Sequence, residues 1–573
     1  MGLARSTAAL PASGPGPTRV VVASPPMSPS EPRAPWVVAH SVAGAPPGGS
    51  TSPEAERNTR SGGPEAERNT RSGGPEAERN TRSGGPEAER ATHPAGSAAY
   101  AVAEPNLALC RAIGRPRSVL DVGCGLGLNG QVARGRGARV VGIELDEAAR
   151  RVAATRLDEV LGVDLEHPEA LGAALGARRF DLILCGDVLE HLRDPLAVLR
   201  RLLEHLDEEG RVVVSLPNVA AWTMRLELLG GRFEYEPSGI LDRTHLRFFT
   251  KESAESLLRD AGLELLSSDA NPMLVRALAK PLVNALGLAQ GGDPTKLARS
   301  YPYAAYQSLV RPLEDWVTRA RPELLAFQHV FVARRPTRPR PLRLTVGMLT
   351  MNEEASIAPM IEAVRAQAPD AELVVVDSST KDRTAEIARE LGARVLRQIP
   401  ASGHGPAMEL LMYAAAAESD ALIYLDCDFT YPPRMIPELR RLLEEDCVDV
   451  VNCARTRDKP AAMPWPNYVA NRSFAAMAHA LHGVPTVDVH SGMRAYRTSV
   501  IRAFDFDGEG DALPIDTLLW PVKCGYRVSE LPIDYDERVG DSKLRKLSGT
   551  AWTFVRLLRT LPVGRRGGRY ERR

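Results

Sequence analysis

The chain has 573 residues, with 72 Lys and Arg against 72 Asp and Glu, and 44% apolar residues. That length exceeds what one hydrophobic core organises, so two or three domains are expected, and the balanced charge gives no electrostatic reason to expect a nucleic acid partner. The seven cysteines are an odd number without metal-type spacing; they point to a reducing, cytoplasmic compartment rather than a disulfide framework. No uninterrupted apolar run reaches the ~20 residues that span a bilayer, and the first residues lack the apolar core of a signal peptide.

Residues 1–95 are rich in Pro, Gly, Ala, Ser and charge, and PEAERNTRSGG recurs from Pro53, Pro64 and Pro75 before a further copy decays after Arg90. An eleven-residue period is compatible with a right-handed coiled coil. Each unit, however, runs into Gly-Gly-Pro and carries no apolar stripe, so a disordered tail is expected.

From 96 to 335, short apolar runs end in Gly or an acid: SVLDVG, ARVVGIEL, FDLILCGD and RVVVSLP, with helical stretches such as PLAVLRRLLEHL between them. A helical insertion over about 278–325 precedes a last strand-like run, FQHVFVARR. A Pro/Arg linker covers 336–343, and the alternation resumes over 344–548 with LRLTVGMLT, AELVVVDS, ARVLRQI and ALIYLD. Such βα alternation predicts an α/β protein with parallel sheets covered on both faces, here two tandem Rossmann-like domains after a disordered tail.

In the first domain, VLDVGCGLG places Asp121 before Gly123, Gly125 and Gly127. A strand that feeds a glycine-rich turn and then a helix lets a ligand approach the backbone closely, although a tight structural turn explains the same residues. Glu144 ends the next strand, where it suits ribose hydroxyls, and Asp164 and Leu165 of GVDLE follow the third, where they suit an adenine. This segment resembles the class I S-adenosylmethionine-dependent methyltransferases. The resemblance implies that the glycine loop and Asp121 hold the methionine part, Glu144 the ribose and Asp164 the adenine amine. A nicotinamide-binding Rossmann domain is the alternative, and the loop departs from its usual G-x-G-x-x-G. DVLEHLRDP follows the fourth strand, placing Asp187 at the cofactor and His191 as a candidate general base; pocket-shaping residues at a helix start are the other reading. The dense segment 217–250 resembles the acceptor side of methyltransferases from glycan and lipid pathways. Trp222, Arg225, Asp242, Arg243, His245 and Arg247 are candidates for that wall, and structural salt bridges explain them equally well.

In the second domain, Asp377 ends VVVDSSTKDRT, and Asp426 and Asp428 end IYLDCD. Alternate carboxylates at the carboxyl edge of a parallel sheet suit a hard divalent cation, which would neutralise a diphosphate leaving group. With Asn352-Glu353 after the first strand, this order resembles family 2 glycosyltransferases of the GT-A fold, closest to the dolichol- or polyprenyl-phosphate mannosyl/glucosyltransferase branch through TYPP, DVHSGMRAYR and ERVGDSKL. The resemblance implies a nucleotide-sugar donor and a lipid-phosphate or glycan acceptor. Glu353 and Asp377 would meet the nucleoside, Asp426 and Asp428 the Mg²⁺ or Mn²⁺, and Arg494, Arg538, Ser542 and Lys543 the phosphates. Asp516 would serve as the base for a hydroxyl acceptor, and a lipid phosphate would need none. His404 stands where Lys is common, Cys427 where Ala is common, and the absence of Q-x-x-R-W implies single transfer with inversion.

Residues 549–573 form an amphipathic helix and basic tail in which Trp552, Val555, Leu558 and Leu561 fall near one face. The two readings are a helix that packs on its domain and one that lies at the inner face of the cell membrane. The expected protein is a bifunctional transferase in a shared pathway. A soluble or protein sugar acceptor, or one head acting only as a binding module, are the alternatives.

Overall fold

Seven strands build the first sheet: β1 (Ser118–Val122), β2 (Arg139–Ile143), β3 (Glu159–Leu161), β4 (Phe180–Gly186), β5 (Leu206–Pro217), β6 (Glu264–Pro272) and β7 (Ala326–Arg334), in the order β3-β2-β1-β4-β5-β7-β6. Only β7 runs antiparallel to its neighbours. The computed structural model describes residues 105–274, 309–399, 401–537, 546–563 and 569–573, within the unit Glu89–Arg573. The repeat-bearing tail, most of the helical insertion, and Arg538, Ser542 and Lys543 lie outside the described residues.

Strands β1, β2 and β4 are buried along nearly their whole length, as continuous apolar runs require when helices cover both faces. The helix Pro195–Leu203 shows how the cover is specified. Pro195 opens it, Asp194 accepts from the Ala197 amide at 2.9 Å, and Val198, Leu199, Leu202 and Leu203 form the buried stripe. β3 ends at Leu161, so Asp164 stands in the loop beyond the strand rather than at its tip.

The second sheet has eight strands in the order β10-β9-β8-β11-β13-β12-β14-β15. These are β8 (Leu344–Thr350), β9 (Glu372–Asp377), β10 (Arg394–Arg397), β11 (Ala421–Asp426), β12 (Val450–Ala454), β13 (Met493–Arg497), β14 (Arg527–Pro532) and β15 (Arg569–Arg572). β13 is antiparallel to β11 and β12. The described C-terminal residues do not stand apart: β15 pairs in parallel with β14, and the helix Lys546–Arg559 packs on the helix Leu513–Lys523. Its buried face is Thr553, Arg556, Leu557 and Thr560, while Val555, Leu558 and Leu561 are exposed. Of the apolar stripe in the sequence, Trp552 packs partly buried against the core while the other three face outward, and Arg556 turns inward to the buried carboxylate of Asp516.

The two sheets belong to one packed body. Gly114, with φ +66°, lies so close to the following domain that a Cβ there would sit 2.4 Å from the Arg502 carbonyl oxygen. Arg334, the last residue of β7, forms a two-pronged ion pair with Asp449 at 2.7 and 2.9 Å, and both are buried. Among the described residues no helix is long and apolar enough to cross a membrane.

Candidate active sites

The turn after β1 is built by three glycines in the left-handed region: Gly123 (φ +62°), Gly125 (φ +52°) and Gly127 (φ +77°). A Cβ on Gly123 would come within 2.7 Å of Val188, which leads into the loop after β4. The Gly125 amide donates to Glu144 Oε2 at 2.8 Å and the Asp146 amide to Oε1 at 2.8 Å, so Glu144 ties the glycine loop to the end of β2. Asp121 is buried; among the described residues only the Gly130 amide donates to it, at 3.0 Å, and no cation pairs with it. Burial, aided by Glu144 and opposed by the Gly130 amide, pushes its carboxyl up to about 7. Asp164 accepts from the Glu166 amide at 3.0 Å and faces His167, beside buried Leu165.

These observations make a fit test for an adenosylmethionine. The turn is bare backbone in a left-handed conformation, and beside it stand Asp121 and Glu144, with which no cation pairs among the described residues. Ionising Asp121 costs the fold, because its folded value lies above the ordinary 3.8. Stability from this group therefore falls as pH rises from about 4 to about 7, and a bound ammonium group would reverse that penalty. We expect S-adenosylhomocysteine, which carries the ammonium, to bind about tenfold more weakly at pH 6 than at pH 8, and Asp121→Asn to abolish the difference. Calorimetric titration across that range checks it, and a flat profile for the unaltered protein would sink the assignment.

Asp187 adopts φ +55° at the end of β4 and accepts from the Ser215 hydroxyl at 3.0 Å and from the Gln328 amide. Gln328 in turn accepts from Asn106 at 2.7 Å and Asn271 at 2.6 Å, and Asn129 accepts from the Asn106 backbone amide. This amide network joins the start of the glycine-loop helix to three strand ends. It was not foreseen, since its members are scattered over more than 220 positions and carry no motif.

His191 and His245, separate candidates in the sequence, lie side by side: their rings are 4.9 Å apart, and the Nδ1 atoms face the Thr244 and Ile240 carbonyls at 3.2 and 2.9 Å. In that orientation each Nδ1–H donates, which leaves Nε2 as the acceptor. Buried Glu190 joins them; one ligand atom from each of Glu190, His191 and His245 lies within 4.8 Å of the others. Burial, reinforced by Asp187 and Asp242, raises the Glu190 carboxyl well above the ordinary range. Asp242 braces the same loop by accepting from the Thr244 amide and hydroxyl. Trp222 is half-buried, whereas Arg225 and Arg243 are exposed; Arg225 donates to the Ala220 carbonyl, and Arg247 to that of Arg193.

In the second sheet Asp426 and Asp428 stand where β11 ends, Asp426 half-buried and Asp428 buried. Asp428 accepts from the Thr430 amide at 3.1 Å and from its hydroxyl at 2.5 Å. These are hard oxygen donors at a sheet's carboxyl edge, and they fit a divalent cation. Cys427 points away into the apolar core with Ser356 at 3.9 Å, and burial pushes its thiol up to about 12.

Gly492, on the SGMR turn, touches the pair from outside: a Cβ there would lie 2.2 Å from Asp426 Oδ2 and 2.8 Å from the Tyr431 ring. We expect Gly492→Ala to displace the Asp426 carboxylate by about 1 Å and to lower sugar transfer by about 10²-fold. Assay of the variant with an unchanged melting temperature checks this; near-normal turnover would exclude it.

Three assignments need correction. Asp377 does not present an open carboxylate to a nucleoside: it is enclosed, accepting from Thr350, from the Ser379 amide and hydroxyl, and from Arg397. It organises the loop after β9, whereas Glu353 remains at the sheet edge with the Ser356 hydroxyl at 3.2 Å. Arg494 is no phosphate ligand. Its guanidinium is buried on Asn452 at 2.7 Å, the Val489 carbonyl at 2.9 Å and the Pro514 carbonyl, so it holds strands β12 and β13 to the neighbouring helix. Asp516 is no free base either, because Arg556 and the Thr560 hydroxyl occupy both its oxygens.

The cation near the site that the motifs missed is Arg455. It pairs with buried Asp488 at 2.8 Å and lies 5.5 Å from the ring centres of both Tyr431 and Tyr535. The pair holds the Asp488 carboxyl below its usual range despite burial. DVHSGMR contained half of this pair, but nothing in the sequence linked it to Arg455.

Comparison with known proteins identifies the family of each segment. A family model described as "Methyltransferase domain" matches residues 97–268, and one described as "Glycosyl transferase family 2" matches 345–504. A dolichyl-phosphate hexose transferase of Haloferax volcanii is 38% identical over 209 residues, 36% of this chain and 89% of that protein. An undecaprenyl-phosphate mannosyltransferase of Micrococcus luteus is 26% identical, over 35% of this chain and 88% of that protein. A ubiquinone biosynthesis O-methyltransferase of Ralstonia nicotianae is 32% identical, over 28% of this chain and 69% of that protein. The chain thus belongs to two families in succession, a methyltransferase followed by a family 2 glycosyltransferase, and is a transferase with two heads.

Proposed function

We propose that the first head transfers a methyl group from S-adenosylmethionine and that the second transfers a sugar from a nucleotide diphosphate donor to a polyprenyl phosphate, with inversion. The observation that carries the second assignment is the Asp426–Asp428 pair braced by Gly492 and Thr430, in a segment similar to polyprenyl-phosphate sugar transferases. When bound, Mg²⁺ or Mn²⁺ neutralises the diphosphate leaving group. A lipid phosphate is already ionised and nucleophilic, which accords with a site where Asp516 is committed to Arg556. Exposed Trp465, Val469, Phe554, Val555 and Leu558, on two helices in contact through Phe474 and Phe554, support approach to a lipid surface.

For the methyl head, S-adenosylmethionine when bound supplies an electrophilic methyl group. Glycine backbone, Asp121 and Glu144 orient it, with Asp164 and Leu165 toward the adenine side. Asp187, fixed by Gln328, precedes the short helix carrying His191, and His245 comes beside it from the segment braced by Asp242. With Nε2 accepting, either imidazole takes the proton from an acceptor hydroxyl. The deciding experiment incubates the protein and divalent metal with a panel of nucleotide sugars, with and without polyprenyl phosphate. Lipid-stimulated release of the nucleoside phosphate supports the reading; transfer indifferent to the lipid replaces it with a soluble acceptor.

A further inference from the structure

Among the described residues, the contacts between the heads fall at one edge of each sheet. On the methyl head, Arg115 precedes β1, and Arg211 pairs in register with Arg334, the last residue of antiparallel β7. These are the amino-terminal ends of the parallel strands. On the glycosyl head, Arg497 pairs in register with Ala421, the first residue of β11, and Asp449 immediately precedes β12. These too are amino-terminal ends. The edges meet directly. Arg211 donates to the Arg502 carbonyl at 3.4 Å, Arg115 to Asp505 at 2.6 Å, Arg334 to Asp449 at 2.7 Å, and Arg497 pairs with Glu209. Gly525 is pressed against β6, where an added Cβ would lie 2.0 Å from the Leu266 carbonyl oxygen.

Both sets of site residues lie at the opposite, carboxyl ends: Asp121 and Asp187 on one head, Asp426 and Asp428 on the other. We infer that the two heads are fixed back to back, with their mouths opening at opposite ends of one rigid body. β1 and β9 alone interpose about 36 Å of strand at roughly 3.3 Å per residue. Among the described residues no chamber is shared. Any molecule modified by both heads must leave the first mouth and travel through solvent to the second. Nor can one flat lipid surface serve both mouths at once, so when the glycosyl mouth faces a membrane-held phosphate, the methyl acceptor arrives from the aqueous side. The inference rests on the proposed function for which mouth does what, but not for the arrangement.

The test uses pulsed dipolar spectroscopy on the full chain with nitroxides at Leu145→Cys, beside β2's carboxyl end, and Lys381→Cys, beyond that of β9; both positions are exposed. Each single variant supplies the background from native thiols. A distance distribution centred beyond about 30 Å, unchanged by S-adenosylhomocysteine or by UDP with Mn²⁺, supports the arrangement. A shorter centre, or one that collapses when either probe is added, overturns it. Because this readout needs no turnover, it separates failure of the arrangement from failure of the donor and acceptor assignments.

Discussion

Replacing Asp428 by Ala is expected to lower sugar transfer by about 10³-fold while S-adenosylhomocysteine binding stays unchanged. A divalent cation at a diphosphate supplies several kcal/mol of charge stabilisation, and each ~1.4 kcal/mol is a factor of ten in rate. Asp428 is buried on the core side of the pair and prepared by the Thr430 amide and hydroxyl, so its carboxylate is pre-aimed. Deleting it removes a ligand and also leaves those two donors without their acceptor. Manganese affinity, measured by paramagnetic relaxation, should fall in parallel with transfer. Asp428→Asn should retain more folding stability than the alanine variant yet recover little activity, since the amide keeps the acceptor for Thr430 without the charge. Full transfer by Asp428→Ala would remove the metal assignment.

The strand-end acids and the glycine turns were legible because the chemistry they serve demands fixed spacing on a strand–turn–helix unit. Asp121, Glu144, Asp426 and Asp428 all stand where the alternation of apolar runs places them. What misled was burial. The family resemblance places Arg494 and Asp516 at the site, and a motif does not report burial. The structure instead spends them on satisfying one another's neighbours inside the fold, Arg494 on backbone carbonyls and Asp516 on Arg556. Burial also divides the C-terminal helix's apolar stripe, left open in the sequence between domain packing and a membrane face: the helix docks through Arg556 on Asp516, with Trp552 partly buried and Val555, Leu558 and Leu561 exposed. Arg455 with Asp488, and Gln328 with Asp187, escaped because their partners lie far apart in the chain and are joined only by the sheet order.

Arg334→Met should destabilise the whole two-headed body by about 3–5 kcal/mol, the usual cost of leaving a buried charge without its partner. Asp449 is enclosed beneath the interface and depends on Arg334 for two hydrogen bonds; its other donors include the Arg527 amide at 2.8 Å. Arg334 also reaches Glu264 at 2.7 Å and lies over the Tyr526 ring at 5.3 Å, so one side chain braces β6, β7 and the second sheet. The methionine keeps the apolar stem over Tyr526 but strands the carboxylate. Combining it with Asp449→Leu should recover most of the loss, because an apolar pair of similar volume costs no desolvation. Denaturant unfolding of the two single variants and the double variant gives the coupling energy directly. If the heads form one body, S-adenosylhomocysteine should protect the glycosyl head against unfolding in the unaltered chain, by linkage through the shared transition, and Arg334→Met should weaken that protection. Additive single effects would mean that the pair does not join the heads, and two separate transitions in the unaltered chain would mean that they fold apart.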